Sequence, residues 1–218
     1  MFPIIAIDGP AASGKSSVAQ KIASRLGITF VSSGELYRAV TWTALEAGIV
    51  AGNEEALDAF LLSTEISLQK LGNKIIFLVN GKEKTPHLYD SPVNENVSLF
   101  SQSPQFRTAL LKPLRNLGNC FSLVMEGRDI GSVVFPETPY KFYLDASEKE
   151  RQCRRAAQGI SDTITDRDQL DSSRKVAPLK IPQDACVLDT TNLSLDEVVD
   201  RILELLKSKN FAMRLFEE

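Results

Sequence analysis

The chain has 218 residues, 43% of them hydrophobic, and a formal net charge of -3. That length allows one substantial domain, or a core carrying an inserted subdomain, with enough apolar side chains to bury a full core. The acidic balance argues against nucleic acid or any partner gripped through many phosphates, so an anion held here is small and sits in a local pocket.

The three cysteines, Cys120, Cys153 and Cys186, are scattered and form neither a disulfide framework nor a zinc pattern. Cys120 and Cys186, in or beside apolar runs, are expected as buried small hydrophobes. His87, the single histidine, is expected on the surface, which removes His-pair metal sites and disfavours histidine catalysis. The first residues carry no basic segment or long apolar run, and no later stretch is long enough to span a membrane. A soluble, cytoplasmic protein with no membrane partner is expected. No exposed apolar stripe asks for a second copy, so a monomer is expected.

In chain order, Ile4-Ile5-Ala6-Ile7, closed by Asp8-Gly9-Pro10, suits a buried parallel strand. Val18, Ile22 and Leu26 then mark an amphipathic helix stopped at Gly27. Ile28 to Val31 reads as a second strand and Glu35 to Leu45 as a second helix. The character changes over Ile66 to Thr85, where the turn pairs Gly72-Asn73 and Asn80-Gly81 surround Ile75 to Val79, a small antiparallel insert. Polar helices are expected over 93–103 and 104–117, the second interrupted by Pro113. Strands resume at Phe121 to Met125, Tyr140 to Leu144 and Asp184 to Leu188. Ser147 to Glu150 and Ser194 to Glu197 have the residues of a capping box. The alternation gives an α/β fold, a five-stranded parallel sheet with helices on both faces. The polar stretch Gln158 to Arg174 has no apolar stripe and is expected to be mobile.

Between the first strand and first helix lies Gly9-Pro10-Ala11-Ala12-Ser13-Gly14-Lys15-Ser16, followed by Ser17, which fits GxxxxGK[ST]. Its glycines let backbone N–H groups curl round phosphate oxygens, and the helix N-terminus adds partial positive charge. Lys15 is placed to reach the β- and γ-phosphates of ATP, and the Ser16 hydroxyl to ligate Mg²⁺. The sole Asn-Lys pair, Asn73-Lys74, is followed by Ile-Ile rather than the x-Asp of a guanine-reading loop, which argues against a GTPase.

Three further clusters carry groups that hold anions or read bases. Ser33-Gly-Glu-Leu-Tyr37-Arg38 follows the second strand at the carboxyl edge of the sheet, where such folds bind ligands. Glu126-Gly127-Arg128-Asp129-Ile-Gly131 follows the third strand. Arg167, Asp171 and Arg174 share one face if helical. Each has a plainer reading: an ordinary helix start at Tyr37 and Arg38, an acid touching Mg²⁺ through water at Glu126, and a surface salt-bridge ladder for the third set.

The segments IDGPAASGKSS, SSGELYRAV, EGRDIGSVVFP, YKFYLDAS and SRKVAPL, in this order, resemble bacterial cytidylate kinases essentially from end to end. The resemblance implies a three-layer P-loop nucleoside-monophosphate-kinase fold that moves the γ-phosphoryl group of ATP to CMP or dCMP. Its core would be 1–35, 119–157 and 175–218, its acceptor-binding insert about 36–118 and its lid about 158–174. Ser33 and Arg38, aided by Arg128, would hold the CMP phosphate; Ser98, Arg107 and Asp129 would read the cytosine. Tyr37 and Asp171 would lie near the ribose, with Arg167 and Arg174 as lid arginines. A kinase for UMP or a non-nucleotide acceptor, and an ATP-binding module without transferase activity, are the alternatives. The chain departs from the family pattern at Tyr89 and Leu170, where arginines are usual, and at Glu126, usually aspartate. The segment between Arg155 and Arg167 is shorter than in the family, so the lid is expected as a loop rather than a long helical hairpin.

Overall fold

A computed structural model describes residues 2–157 and 164–211. Strand β1 (Ile4–Asp8) lies in the interior of the sheet, buried along its whole length. Because successive strand residues point to opposite faces, Ile4 and Ala6 enter one hydrophobic core while Ile5 and Ile7 enter the other. On the second of these faces pack α1 (Lys15–Leu26) and α8 (Leu195–Ser208). The first face receives α2 (Ser33–Glu46), α3 (Glu54–Leu62), α4 (Ser91–Phe100) and α5 (Pro104–Leu117). Three layers result.

The remaining strands are β2 (Thr29–Ser32), β3 (Ile66–Leu71), β4 (Lys74–Val79), β5 (Lys82–Glu83), β6 (Leu123–Gly127), β7 (Tyr140–Asp145) and β8 (Cys186–Asp189). Their order is β3-β4-β2-β6-β1-β7-β8, with β5 paired to β4. The five parallel strands β2-β6-β1-β7-β8 are those expected from the sequence. The antiparallel strands β3, β4 and β5 prolong the same sheet, joined through Phe30 opposite Lys74 and the Phe30 N–H donating to the Asn73 carbonyl. All five parallel strands run the same way, so the loops after β1, β2, β6 and β7 emerge at one edge.

Several expectations change. Helix α5 runs unbroken through Pro113. The proline removes one helical hydrogen bond, at a cost of about 3 kcal/mol. Phe106, Leu110, Leu114 and Leu117 on one face are fully buried, each contributing roughly 1.5–3 kcal/mol, which outweighs that loss. Cys120 is exposed because it falls in the turn between α5 and β6, before the strand enters the sheet; Cys153 is exposed and Cys186 half-buried. Ser194 makes a complete capping box with Glu197, whereas Ser147 accepts from the Glu150 N–H at 3.3 Å, ahead of α6 (Glu148–Ala157).

The largest difference concerns the stretch expected to be mobile. Residues 158–163 lie outside the described residues, but Ile164–Ser172 forms a helix, α7. It buries one apolar side chain, Ile164, and otherwise turns charged and polar groups inward, which is why periodicity missed it. Asp168 and Asp171 make ion pairs, and the Leu170 carbonyl accepts from Gln102 Nε2 at 2.8 Å. A helix therefore stands where a lid loop was expected. It ends before Arg174, which reaches back to Asp171 from beyond its last turn. Among the described residues no helix is long and apolar enough to cross a membrane.

Candidate active site

The chain leaves β1 through a turn that only glycine fits at Gly9, where a Cβ would lie 2.2 Å from the Leu144 carbonyl oxygen on β7. Ala12 (φ 58°) and Gly14 (φ 88°) are left-handed. This alternation turns successive N–H groups inward to make an anion-binding nest above the N-terminus of α1. Lys15 is buried, its ammonium donating to the Pro10 carbonyl at 2.9 Å. Burial, reinforced by the Arg128 charge, lowers its pKa to about 7. Ser16 and Ser17 are exposed on the first turn, and the buried Ser13 hydroxyl has no hydrogen-bond partner.

Asp8 ties this loop to the next. Its buried carboxylate accepts from the Ile130 and Gly131 N–H groups, each at 2.7 Å, and so fixes the π-helical turn Ile130–Val134 that follows Arg128 and Asp129. Burial raises the Asp8 pKa to about 7, against the pull of those two amides. Sequence reading missed this residue, although an acid closing a fully buried strand was the available signal.

Across the cleft, the Ser33 hydroxyl donates to the Glu126 carbonyl (2.9 Å) and the Ser32 hydroxyl to the Glu126 carboxylate (2.5 Å). Arg38 donates to the Leu88 carbonyl (2.9 Å) and Asn94 Oδ1 (2.7 Å), with the Tyr89 ring 4.8 Å from its guanidinium. Burial, with Arg167 nearby, lowers its pKa to about 10. Arg107 Nη2 donates to Asp129 Oδ2 at 2.5 Å, and the Tyr37 ring lies 5.3 Å from the Arg107 guanidinium. Asp171 joins two arginines, accepting from Arg128 Nε at 2.7 Å and from Arg174 Nη2. Burial opposes its charge, yet those two guanidiniums hold its pKa below the usual carboxylate value.

These groups surround one cavity of about 380 Å³, lined at one end by Ala11, Ala12 and Gly14 to Ser17 and at the other by Ser98, Arg107 and Asp129. Among the described residues, Lys15, Arg38, Arg107, Arg128, Arg155, Arg167 and Arg174 line it against Glu126, Asp129 and Asp171. A protein of net negative charge thus concentrates cations in one pocket, as a site for two phosphorylated ligands requires. The lining includes every residue expected from the sequence except Gly9, Pro10 and Ser13, which shape the loop from behind.

The glycine loop after the central strand, the parallel order β2-β6-β1-β7-β8 and the cation-lined cleft define a P-loop phosphotransferase. The sequence matches the family described as Cytidylate kinase over residues 5–208, and the chain belongs to that family. It is 41% identical to the cytidylate kinase of Geobacillus sp. (strain WCH70), over 94% of this chain and 96% of that one. It is 40% identical to the enzyme of that name from Clostridium botulinum (strain Langeland), over 93% and 97%. Among solved structures, a sugar kinase from Janibacter sp. HTCC2649 (13% identity, TM-score 0.51, 95% of both chains) shares the fold. So does shikimate kinase from Acinetobacter baumannii (16% identity, TM-score 0.50, 96% of this chain and 95% of that one).

Proposed function

We propose that the protein transfers the γ-phosphoryl group of ATP to CMP or dCMP, giving CDP or dCDP, in the cytoplasm and as a monomer. The observation that carries this reading is the placement of the Arg107–Asp129 pair in the same cavity as the phosphate loop. A carboxylate there accepts from the cytosine amino group; uracil presents a carbonyl at that position and would meet another acceptor. We divide the chain into a core (1–35, 119–157, 175–218), an acceptor insert (about 36–118) and a lid (about 158–174).

In this reading the loop amides from Gly9 to Ser17 and the Lys15 ammonium hold the ATP phosphates, while Ser33, Arg38 and Arg128 hold the acceptor phosphate. Ser98 assists the base readers, and Tyr37 borders the ribose. Because the acceptor phosphate is already largely ionised at neutral pH, no general base is needed. An acceptor oxygen attacks the γ-phosphorus; the bond to the β-phosphate oxygen breaks, and ADP departs with that electron pair. Lys15, Arg128, Arg167 and Arg174 neutralise charge on the transferring group. The exposed Ser16 hydroxyl and, through water, the Glu126 carboxylate would hold Mg²⁺. When bound, that ion would supply positive charge to offset that of the phosphates.

An ADP-release assay with CMP, dCMP, UMP and AMP tests the reading. CMP and dCMP are expected to be fastest, and faster turnover of UMP or AMP overturns it. Asp129→Ala is expected to lower kcat/KM for CMP by roughly 10- to 100-fold and for UMP far less, narrowing the preference. Equal losses for both bases would remove Asp129 from base recognition.

Lys15 supplies a second check. With its pKa near 7 it is mostly neutral at pH 8 in the free protein, and phosphates restore its charge. Binding of ATP at pH 8 is expected to take up nearly one proton, measured by calorimetry in buffers of different ionisation enthalpy. That uptake disappears in Lys15→Met if the lysine is its source.

A further inference from the structure

Asp168 lies in α7, and no step described so far uses it. Its Oδ1 accepts from the Ala11 N–H at 2.9 Å, a contact spanning 157 residues of sequence. Its Oδ2 pairs with Arg151 of α6, and the same Arg151 Nη1 donates to the Ala11 carbonyl at 3.1 Å. An aspartate and an arginine thus grip one residue of the phosphate loop from both sides of its backbone. Arg151 is itself braced through Nε on the Ala146 carbonyl at 3.1 Å, at the end of β7. Both ionic side chains are mostly buried, at 13% and 17% exposure, so the pair is shielded from the screening that weakens surface ion pairs.

The neighbours of Asp168 give this grip its consequence. Arg167 precedes it and Asp171 follows one turn later, and both line the cavity. Gly9 is wedged against Leu144, so the loop has little freedom of its own. Fixing α7 to Ala11 therefore fixes where Arg167 and the Arg128–Asp171–Arg174 cluster stand relative to bound phosphates. Ile164 alone among the apolar side chains of α7 is fully buried, so the helix has no apolar stripe to fix its register and relies on such polar anchors as well.

We infer that Asp168 is a positioning residue: with Arg151 it latches α7 to the Ala11 peptide of the phosphate loop and so aligns the arginines that stabilise phosphoryl transfer. The inference rests on the reading of the cavity as a phosphotransfer site. Small misplacement of such groups costs on the order of 100-fold in rate, whereas loss of binding contacts alone would act on KM.

The test compares wild type, Asp168→Asn, Asp168→Ala, Arg151→Met and the Asp168→Ala/Arg151→Met double variant. CDP formation in the wild type tests the functional reading by itself. Hydrogen exchange of α7 amides in the ligand-free variants tests the latch without requiring any activity. Asp168→Ala is expected to speed α7 exchange about tenfold or more while α1 and α8 keep their protection. It is expected to lower kcat roughly 10- to 100-fold with KM for CMP changed less than threefold. Asp168→Asn, which keeps an acceptor for the Ala11 N–H, should fall between. The double variant should be no slower than the worse single variant, because the two side chains act as one unit. Unchanged α7 exchange, exchange raised equally in α1 and α8, or additive losses in the double variant each overturn the inference.

Discussion

Replacing Lys15 by alanine is expected to lower kcat for CDP formation by about a thousandfold or more, with the fold intact. The ammonium is the one cation built into the phosphate loop itself, at the N-terminus of α1. Among the described residues the ammonium donates to the Pro10 carbonyl alone, which leaves donors for phosphate oxygens. The same burial that readies it for an anion makes it a burden in the ligand-free protein. An unfolded lysine titrates near 10.4, and this one near 7. Between those values the unfolded state binds the extra proton, so this group's contribution to stability improves as pH rises through the interval. The penalty is therefore greatest below pH 7. Lys15→Met should raise the Tm of the ligand-free protein, and by more at pH 6 than at pH 9. A variant that is inactive yet more stable separates a catalytic role from a structural one; a lower Tm at pH 6 would contradict the assignment.

Arg128→Ala is expected to reduce kcat/KM by roughly 100- to 1,000-fold for every nucleoside monophosphate alike. Arg128 lines the same cavity as the phosphate loop, Arg38 and Arg107, and Asp171 holds its guanidinium in place through Nε. Burial works against the Arg128 charge, but Asp171 and Glu126 more than offset this and keep its pKa raised. Truncation leaves Asp171 with Arg174, so the carboxylate is not stranded without a counter-charge, and the loss should fall on catalysis more than on folding. Arg128→Lys should restore little, since one ammonium cannot reproduce a fork that pairs with Asp171 and keeps further donors for an anion. The measurement is kcat/KM for CMP, dCMP and UMP. Equal factors fit a phosphate ligand, and a loss confined to CMP would move Arg128 to base recognition.

The contrast between these two residues and Asp168 explains what the sequence makes legible. Lys15 belongs to a contiguous loop whose residue types and spacing are dictated by one bound group, so its chemistry can be read locally. Arg128 and Asp129 follow a strand that must end at the ligand edge of the sheet. The five parallel strands were readable because each is a short apolar run between turn residues. Helix α7 was not, because ion pairs replace its apolar stripe and periodicity carries no signal for such a face. Pro113 misled for a related reason: its local cost is visible in the sequence, whereas the burial of Phe106, Leu110, Leu114 and Leu117 depends on the distant β-strands they cover. Asp8 and Asp168 became functional candidates only when the fold brought them to amides 122 and 157 residues away.

Two nucleotides are expected to meet in this one cleft, which a crystal structure with CMP and a non-hydrolysable ATP analogue would decide. The analogue's β- and γ-phosphates should lie on the loop amides and Lys15, the CMP phosphate on Arg38 and Arg128, and its base on Arg107 and Asp129. The acceptor oxygen should stand about 3–3.5 Å from the γ-phosphorus and in line with the bond to be broken. CMP bound elsewhere, or with its base rather than its phosphate toward the phosphate loop, would contradict it.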